Sequence, residues 1–321
     1  MLKYKDFQCI IPDKESEIQI MQLIERLGGS VFHEMELNRI VSDTFKTQLY
    51  YLVDNPKKIN CFSPIHITKD KFGLKRYHFK PLFDIPYGGF LGGKNIQIDK
   101  FSIGLFESLK YEGFPFYKSE SSINEIQRVG ETSMVDLSIS ENEIFNSVIH
   151  SKKRNKIRKA EKVGIYVEKY TDIKGFNIFW KILKPLHDKL GYDKLVDLDY
   201  YKRIFSHYSI KNGAFILIAF KDQIPLSGVF ILGNKNYMHY YKGASVFGMK
   251  NEGQGELLQW QAIQESRLLG VKYYDLCDLN KEKLPAIYRF KTGISDKIIT
   301  YPIYTKNKLG YKIANRIKNL I

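Results

Sequence analysis

Residues 270–294 read GVKYYDLCDLNKEKLPAIYRFKTGI and set an aromatic ring between two cations, Arg289-Phe290-Lys291. An apolar run, 271–276, has the make-up of a buried strand and carries Asp275 near its C-terminal end. A loop beyond that end of a buried strand is where α/β folds gather their chemistry. By residue type, Lys291 and Arg289 offer fixed positive charge, Arg289 as a partner for phosphate. Asp275 offers a general base, or else a cap for the next turn or an ion pair with Arg289. Cys277 follows, but a thiol nucleophile needs a partnering base, and the sequence identifies none. Tyr241 and Lys242 close the run 237–241 and are candidates to line an acceptor groove, with Tyr240 facing the opposite way into the core.

A second cluster lies upstream. From Lys152 to Lys162 seven Lys or Arg accompany one acidic residue, Glu161. The residues are good helix formers, and Ile149, Ile157 and Ala160 give them a thin apolar seam. Like charges at helical i,i+4 spacing repel, so this density exceeds what a solvated face needs and points to a polyanion. Lys152, Lys153, Arg154 and Arg158 are the cations expected to meet it, with salt-dependent affinity. The whole chain shares the bias, with a net charge of +15 over 321 residues. Such a charge favours RNA, an anionic lipid surface or a nucleotide-linked substrate.

The length favours two domains, and 44% hydrophobic with 14% aromatic residues argues for folded ones. No run approaches the roughly 18–20 uninterrupted apolar residues of a membrane span. The N-terminal residues lack the apolar core of a secretion signal. A cytoplasmic protein is expected, with association to the inner membrane face left open. Cys9, Cys61 and Cys277 are far apart, which suits free thiols in a reducing compartment. The histidines are scattered without metal-ligand spacing, so no metal is expected.

The elements that must position these residues follow from caps and periodicity. Asp13 caps a helix over 13–27 that Gly28-Gly29 ends. Strands are expected at 48–53, 59–67 and 76–85, then a glycine-rich turn from Pro86 to Gly93, a helix over 98–111, and strands at 114–119 and 133–137. These make a first domain, 1–145. The second, 146–304, starts with the basic helix 151–163 and a strand from 165. Helices at 176–190 and 199–208 follow, then strands at 214–220, 228–232 and 237–241 joined by short polar turns. A helix over 256–269 leads into the strand 271–276. The tail has a strand-like start and then an amphipathic helix, with Leu309, Ile313 and Ile317 on one face and Lys312, Arg316 and Lys318 off it. Residues 305–321 either complete the first domain or touch an anionic surface.

Two helices, three antiparallel strands, a helix and a further strand resemble the core of a GNAT-type acyltransferase. KIRKAEKVGIYV, YYKGAS, ELLQWQAIQESRLLG, VKYYDL and IYRFKTGI, in that order, together resemble the FemABX family of peptidyltransferases. The resemblance covers 145–300 well and the first domain in layout. It implies an α+β (mixed α/β) fold of two tandem GNAT-like domains. It also implies amide-bond formation, with aminoacyl-tRNA as donor and an amine of a cell-envelope precursor, of peptidoglycan or surface polysaccharide, as acceptor. Nucleotide- or lipid-linked precursors and tRNA are both polyanions, in keeping with the charge. Aminolysis builds negative charge on a carbonyl oxygen, which fixed donors stabilise; by resemblance Lys291 meets that charge or orients the donor ester, and Phe290 packs on the substrate. One departure leaves the donor open. Lys250-Asn251-Glu252-Gly253-Gln254-Gly255 has the glycine spacing with which ordinary GNAT enzymes hold the pyrophosphate of coenzyme A. Lys250, Gly253 and Gly255 are therefore candidate contacts for an acyl-CoA donor, whose acceptor would be an amino sugar or small amine. A third reading is a non-catalytic RNA-binding protein. No resident cofactor is expected under any of the three.

Overall fold

The computed structural model describes residues 2–3, 7–81, 85–93, 96–116, 128–191 and 197–318. Two compact units divide the chain, residues 1–130 with 300–321, and residues 131–299. In chain order the first holds β1 (Gln8–Ile10), α1 (Lys14–Leu27), α2 (Met35–Phe45), β2 (Gln48–Val53), β3 (Cys61–Lys69), β4 (Lys75–His78), β5 (Leu91–Gly92) and β6 (Glu107–Glu112). β7 (Arg128–Asp136) enters the second unit, followed by α3 (Glu141–Glu143), α4 (Ser151–Lys162), β8 (Tyr166–Tyr170), α5 (Ile173–Leu190) and α6 (Leu198–Ser209). Then come β9 (Ala214–Lys221), β10 (Ile224–Gly233), β11 (Tyr237–Ser245), α7 (Gln254–Leu268), β12 (Tyr273–Asp275) and α8 (Pro285–Thr292). β13 (Ile298–Asn307) and α9 (Leu309–Lys318) return to the first unit. The expected boundary at 145/146 differs from the observed 130/131 because β7 already pairs with β12, Asp136 opposite Tyr273.

In the first unit the order β1-β2-β3-β4-β6-β13 is antiparallel except for the parallel pair β4–β6, and β5 rests on β3. Phe79, Phe90, Phe101 and Tyr111 fill its core. Gly92 stands at φ 85, and a Cβ there would lie 2.1 Å from the Asn60 carbonyl oxygen. The glycine-rich turn thus serves backbone packing against β3. Two expectations fail here. The helix over 98–111 is a short 3-10 turn at 98–100 followed by β6, because Leu109 and Tyr111 alternate into the core while partners on both edges take the backbone bonds. Residues 114–116 form no strand, and 117–119, like 82–84 of the expected strand 76–85, lie outside the described residues. The tail docks through Tyr311, whose N–H donates to Leu105 O at 3.1 Å and whose ring lies under Arg76.

In the second unit the order is β7-β12-β11-β10-β9-β8, antiparallel except for the parallel pair β11–β12. β9 reads AFILIAF without alternation because both of its faces are covered. On one side Phe215 and Leu217 pack with Ile157 of α4 and Leu258 and Ile263 of α7. On the other, Phe176 stacks on Phe205 and Phe179 meets Phe230 edge-on, joining α5 and α6 to the sheet. Asp172 and Asp197 cap these two helices through the N–H groups of Gly175 and Tyr200.

Candidate active site

β11 and β12 pair only at Tyr237–Tyr273, Met238–Tyr274 and His239–Asp275. β12 then ends, while β11 continues to Ser245 beside β10. The divergence opens a cavity of about 570 Å³ walled by α4, α7, α8, β10 and β11. A register shift shapes its floor: Lys242 pairs with Phe230 and Tyr240 with Ile231, so Tyr241 is the extra residue of a bulge. Tyr241 and Lys242 consequently both face α6, the Tyr241 hydroxyl 3.2 Å from that of Tyr200 and Lys242 Nζ 5.8 Å from the Tyr201 ring. Tyr240 turns to the cavity instead. The expected assignment, with Tyr241 in the groove and Tyr240 in the core, is therefore reversed. Gly243 makes room for it, since a Cβ there would lie 2.1 Å from the Tyr240 hydroxyl.

α7 brings a carboxylate and an amide to the same space. Gly253 precedes its first turn at φ 102, and a Cβ there would lie 2.2 Å from the Lys156 carbonyl oxygen, so α7 starts pressed against α4. Glu256 Oε1 accepts from Lys153 Nζ at 2.9 Å and Lys156 Nζ at 3.0 Å. Burial works against its charge, but the hydrogen bonds and charges of the two lysines prevail and hold its carboxyl below the usual range. Lys153 Nζ also stands 4.7 Å over the ring of Phe290. One turn further, Gln259 is wholly buried on the cavity wall. Its Oε1 accepts from the Tyr274 hydroxyl at 2.8 Å, while its Nε2 has no hydrogen-bond partner among the described residues. Burial, with a smaller push from Cys277, raises the Tyr240 phenol to about 12, so near neutral pH it keeps its proton. Gln259 and Tyr240, both uncharged, thus stand together on this wall.

Lys291 stands behind that wall. Its Nζ donates to Asp278 O at 2.9 Å and Cys277 O at 3.3 Å and lies 5.6 Å from the centre of the Tyr240 ring. Burial lowers its pKa, opposed by Cys277, Asp278 and Asp275. It therefore fixes the turn after β12 and braces Tyr240. Phe290 and Arg289 line the cavity themselves, Arg289 exposed.

Asp275 does not reach the cavity wall. Wholly buried, it caps the turn through the N–H of Cys277 at 2.9 Å, meets His239 Nδ1 at 2.8 Å and accepts from the Thr132 hydroxyl. Of its expected roles the geometry gives it the turn cap; the pair with Arg289 is not made, and with both oxygens engaged it is poorly placed as a base. His239, Asp275 and Cys277 also bring their ligating atoms within 4.8 Å of one another, a group able to hold a metal. Burial, with a further push from Asp275, raises the Cys277 thiol well above its usual range.

The four cations of the basic helix part ways. Lys152 and Arg158 are exposed, Arg158 lying over Phe145 at 5.2 Å. Lys153 turns inward to Glu256. Arg154 Nη1 donates to Ile149 O at 2.6 Å and Asn146 O at 2.7 Å, closing the turn before α4. The glycine turn is equally self-contained: the N–H of Gly253 goes to Asn251 Oδ1 at 3.1 Å and that of Glu252 to Gln254 Oε1 at 2.8 Å. Lys250 points to Glu252 at 3.8 Å, and Gly255 lies under Phe290.

Sequence reasoning missed Tyr240, Lys156, Glu256 and Gln259. A signal existed for the last two: polar residues three apart on a helix whose neighbours Leu257, Leu258, Ala262 and Ile263 are all buried. The model of the FemAB family matches residues 92–222. Among solved structures the chain is similar to FemX, at 13% identity over 98% of this chain and 99% of that one, with a TM-score of 0.60. A tandem GNAT protein from the clavulanic acid biosynthesis pathway matches at 11% identity over 95% and 98%, TM-score 0.51. L-PGS from Bacillus licheniformis matches at 13% identity over 93% of each chain, TM-score 0.50. No curated protein sequence matches. The FemAB model thus matches one segment of the chain, and the fold as a whole is shared with FemX and a tandem GNAT protein.

Proposed function

We propose that this protein is an aminoacyltransferase that moves an aminoacyl group from tRNA to an amine of a nucleotide- or lipid-linked cell-envelope precursor. The observation that carries the reading is the Gln259 amide, buried without a partner on the cavity wall that also holds the Tyr240 hydroxyl. A buried donor left unmade is costly in a resting protein. It is well suited to an oxygen that gains charge during reaction. The amine nitrogen attacks the ester carbonyl carbon, and the oxygen takes up negative charge between the Gln259 N–H and the Tyr240 O–H. The carbon–nitrogen bond forms, the bond to the ribose oxygen breaks, and that oxygen receives the proton the amine gives up. Lys291 acts through Tyr240, and Phe290 with Arg289 borders the incoming groups.

The FemAB resemblance supports tRNA as donor, as do the exposed cations Lys152 and Arg158. The glycine turn supports it as well, because two of the N–H groups a coenzyme A pyrophosphate would need are bonded to Asn251 and Gln254. The test is donor binding across a salt series, followed by turnover of Gln259→Met. Salt-sensitive binding of charged tRNA, no thermal shift with acetyl-CoA, and a loss of about 10²–10³ in kcat for a variant that still melts cooperatively are expected. A clear shift with acetyl-CoA, about 2.7 kcal/mol at a hundred times its Kd, and no tRNA binding would overturn the donor.

A further inference from the structure

α9 shows the solvent a face that a docked helix would bury. Gly310 and Tyr311 pack inward, with Gly310 against Leu105 and Phe106. Leu309, Ile313 and Ile317, one turn apart, form a stripe on the outer side. The stripe does not stand alone. Leu105 and Phe106 crown the loop beside the helix start, and Phe72 crowns the loop at its end, where Asp70 meets Lys318 Nζ at 2.9 Å. These six apolar side chains are between 48% and 66% exposed. Lys312 and Arg316 flank the stripe and Lys71 stands beside Phe72, all three exposed. Of the nearby acids, Asp70 is paired with Lys318 and Glu107 accepts from the N–H of Gly104 at 2.7 Å.

We propose that α9 with the loops 70–73 and 104–107 is a monotopic docking surface for an anionic phospholipid bilayer. The arrangement is that of an interfacial helix, with an apolar stripe to enter the acyl boundary and cations beside it for headgroup phosphates. Among the described residues no helix is long and apolar enough to cross a membrane, so attachment here is peripheral. A protein groove would cover the stripe equally well, but the cationic margin, with its neighbouring acids tied down, favours an anionic surface. The inference is independent of the reaction assigned to the second unit.

Co-sedimentation of the full chain with vesicles tests it. Binding to phosphatidylglycerol vesicles and not to phosphatidylcholine ones is expected, weakening as salt rises. Ile313→Ser with Ile317→Ser should lower the partition coefficient at least about tenfold, and Lys312→Glu with Arg316→Glu by a similar factor. All four positions are exposed, so unchanged melting is the control for folding. No vesicle binding by the parent chain, or equal binding by both variants, overturns the proposal. So does a homodimer in solution that the serine variant dissociates while its vesicle binding persists.

Discussion

Lys80 in the first unit and Lys291 in the second both turn inward onto the carbonyls of a turn, and the two end differently. In the first, Lys80 Nζ donates to Ile85 O at 2.8 Å and meets the Glu112 carboxylate at 3.0 Å. In the second, Lys291 Nζ has the carbonyls of Cys277 and Asp278 and the face of Tyr240, with no carboxylate at ion-pair distance among the described residues. A buried cation with a carboxylate is a fastening, because its field closes on its partner. A buried cation held by neutral dipoles keeps its field, and burial makes it readier to lose its proton. The same residue type is therefore ion-paired in one unit and held by neutral groups alone in the other.

The largest expected effect separates the two. Lys291→Met should lower kcat by about 10² or more, through Tyr240, with the melting midpoint changed far less. Lys80→Met should leave kcat of the folded enzyme alone and cost about 3 kcal/mol of stability, the low end for breaking a buried pair. It falls at the low end because Lys110 also reaches Glu112, at 3.2 Å. Turnover and thermal melting of both variants decide it. A Lys80 variant that loses turnover as heavily as the Lys291 variant would erase the distinction.

How much of this was legible in sequence follows the same division. Caps, hairpins and the run AFILIAF in the second unit are local signals, and the elements appear where those signals place them. The run 98–111 of the first unit, expected as a helix, holds β6 instead, and only the flanking strands β4 and β13, far apart in sequence, decide for a strand. At the site, the Arg289-Phe290-Lys291 frame was visible as a motif. The exchange of Tyr240 and Tyr241 was not, because one bulge inverts the parity of a strand and bulges leave little trace in composition. Nor did sequence show that Arg154 closes a turn, that Lys153 meets Glu256 or that Asp275 is a cap, since each depends on a partner brought in by tertiary packing.

Acid should also tell the units apart. In the first, burial lowers His66 to about 3, and burial, with Arg76 and Lys110 adding to it, lowers His78 to about 3. Both are neutral when folded. Their contribution is fully present above about pH 6.5 and is lost as pH falls toward 3, at up to about 1.4 kcal/mol per pH unit for each. Glu256 of the second unit is shifted downward, so its contribution is intact above its ordinary value of 4.5 and is lost only as pH falls below that. Hydrogen exchange at pH 7 and pH 5 should therefore show β3 and β4 losing protection before α4 and α7. Equal loss in both would mean that these histidines do not govern acid stability.

The smallest effect compares two glycines bordering α4. Gly253 and Gly164 both adopt positive φ, 102 and 80, but only the first meets a neighbour: its Cβ would fall 2.2 Å from Lys156 O, whereas nothing lies within 4 Å of a Cβ at Gly164. Gly164→Ala should cost about 1 kcal/mol, the strain of a left-handed alanine alone. Gly253→Ala adds the displacement of α7 from α4 and should cost about 2 kcal/mol. That displacement would also carry Glu256 away from Lys153 and Lys156, which makes it the more informative loss. If the Glu256 pair is what holds the cavity wall, Gly253→Ala should raise KM as well as lower the melting midpoint, while Gly164→Ala changes the midpoint only. Equal melting midpoints for the two would show that the α4–α7 contact yields to a methyl group and does not set the cavity.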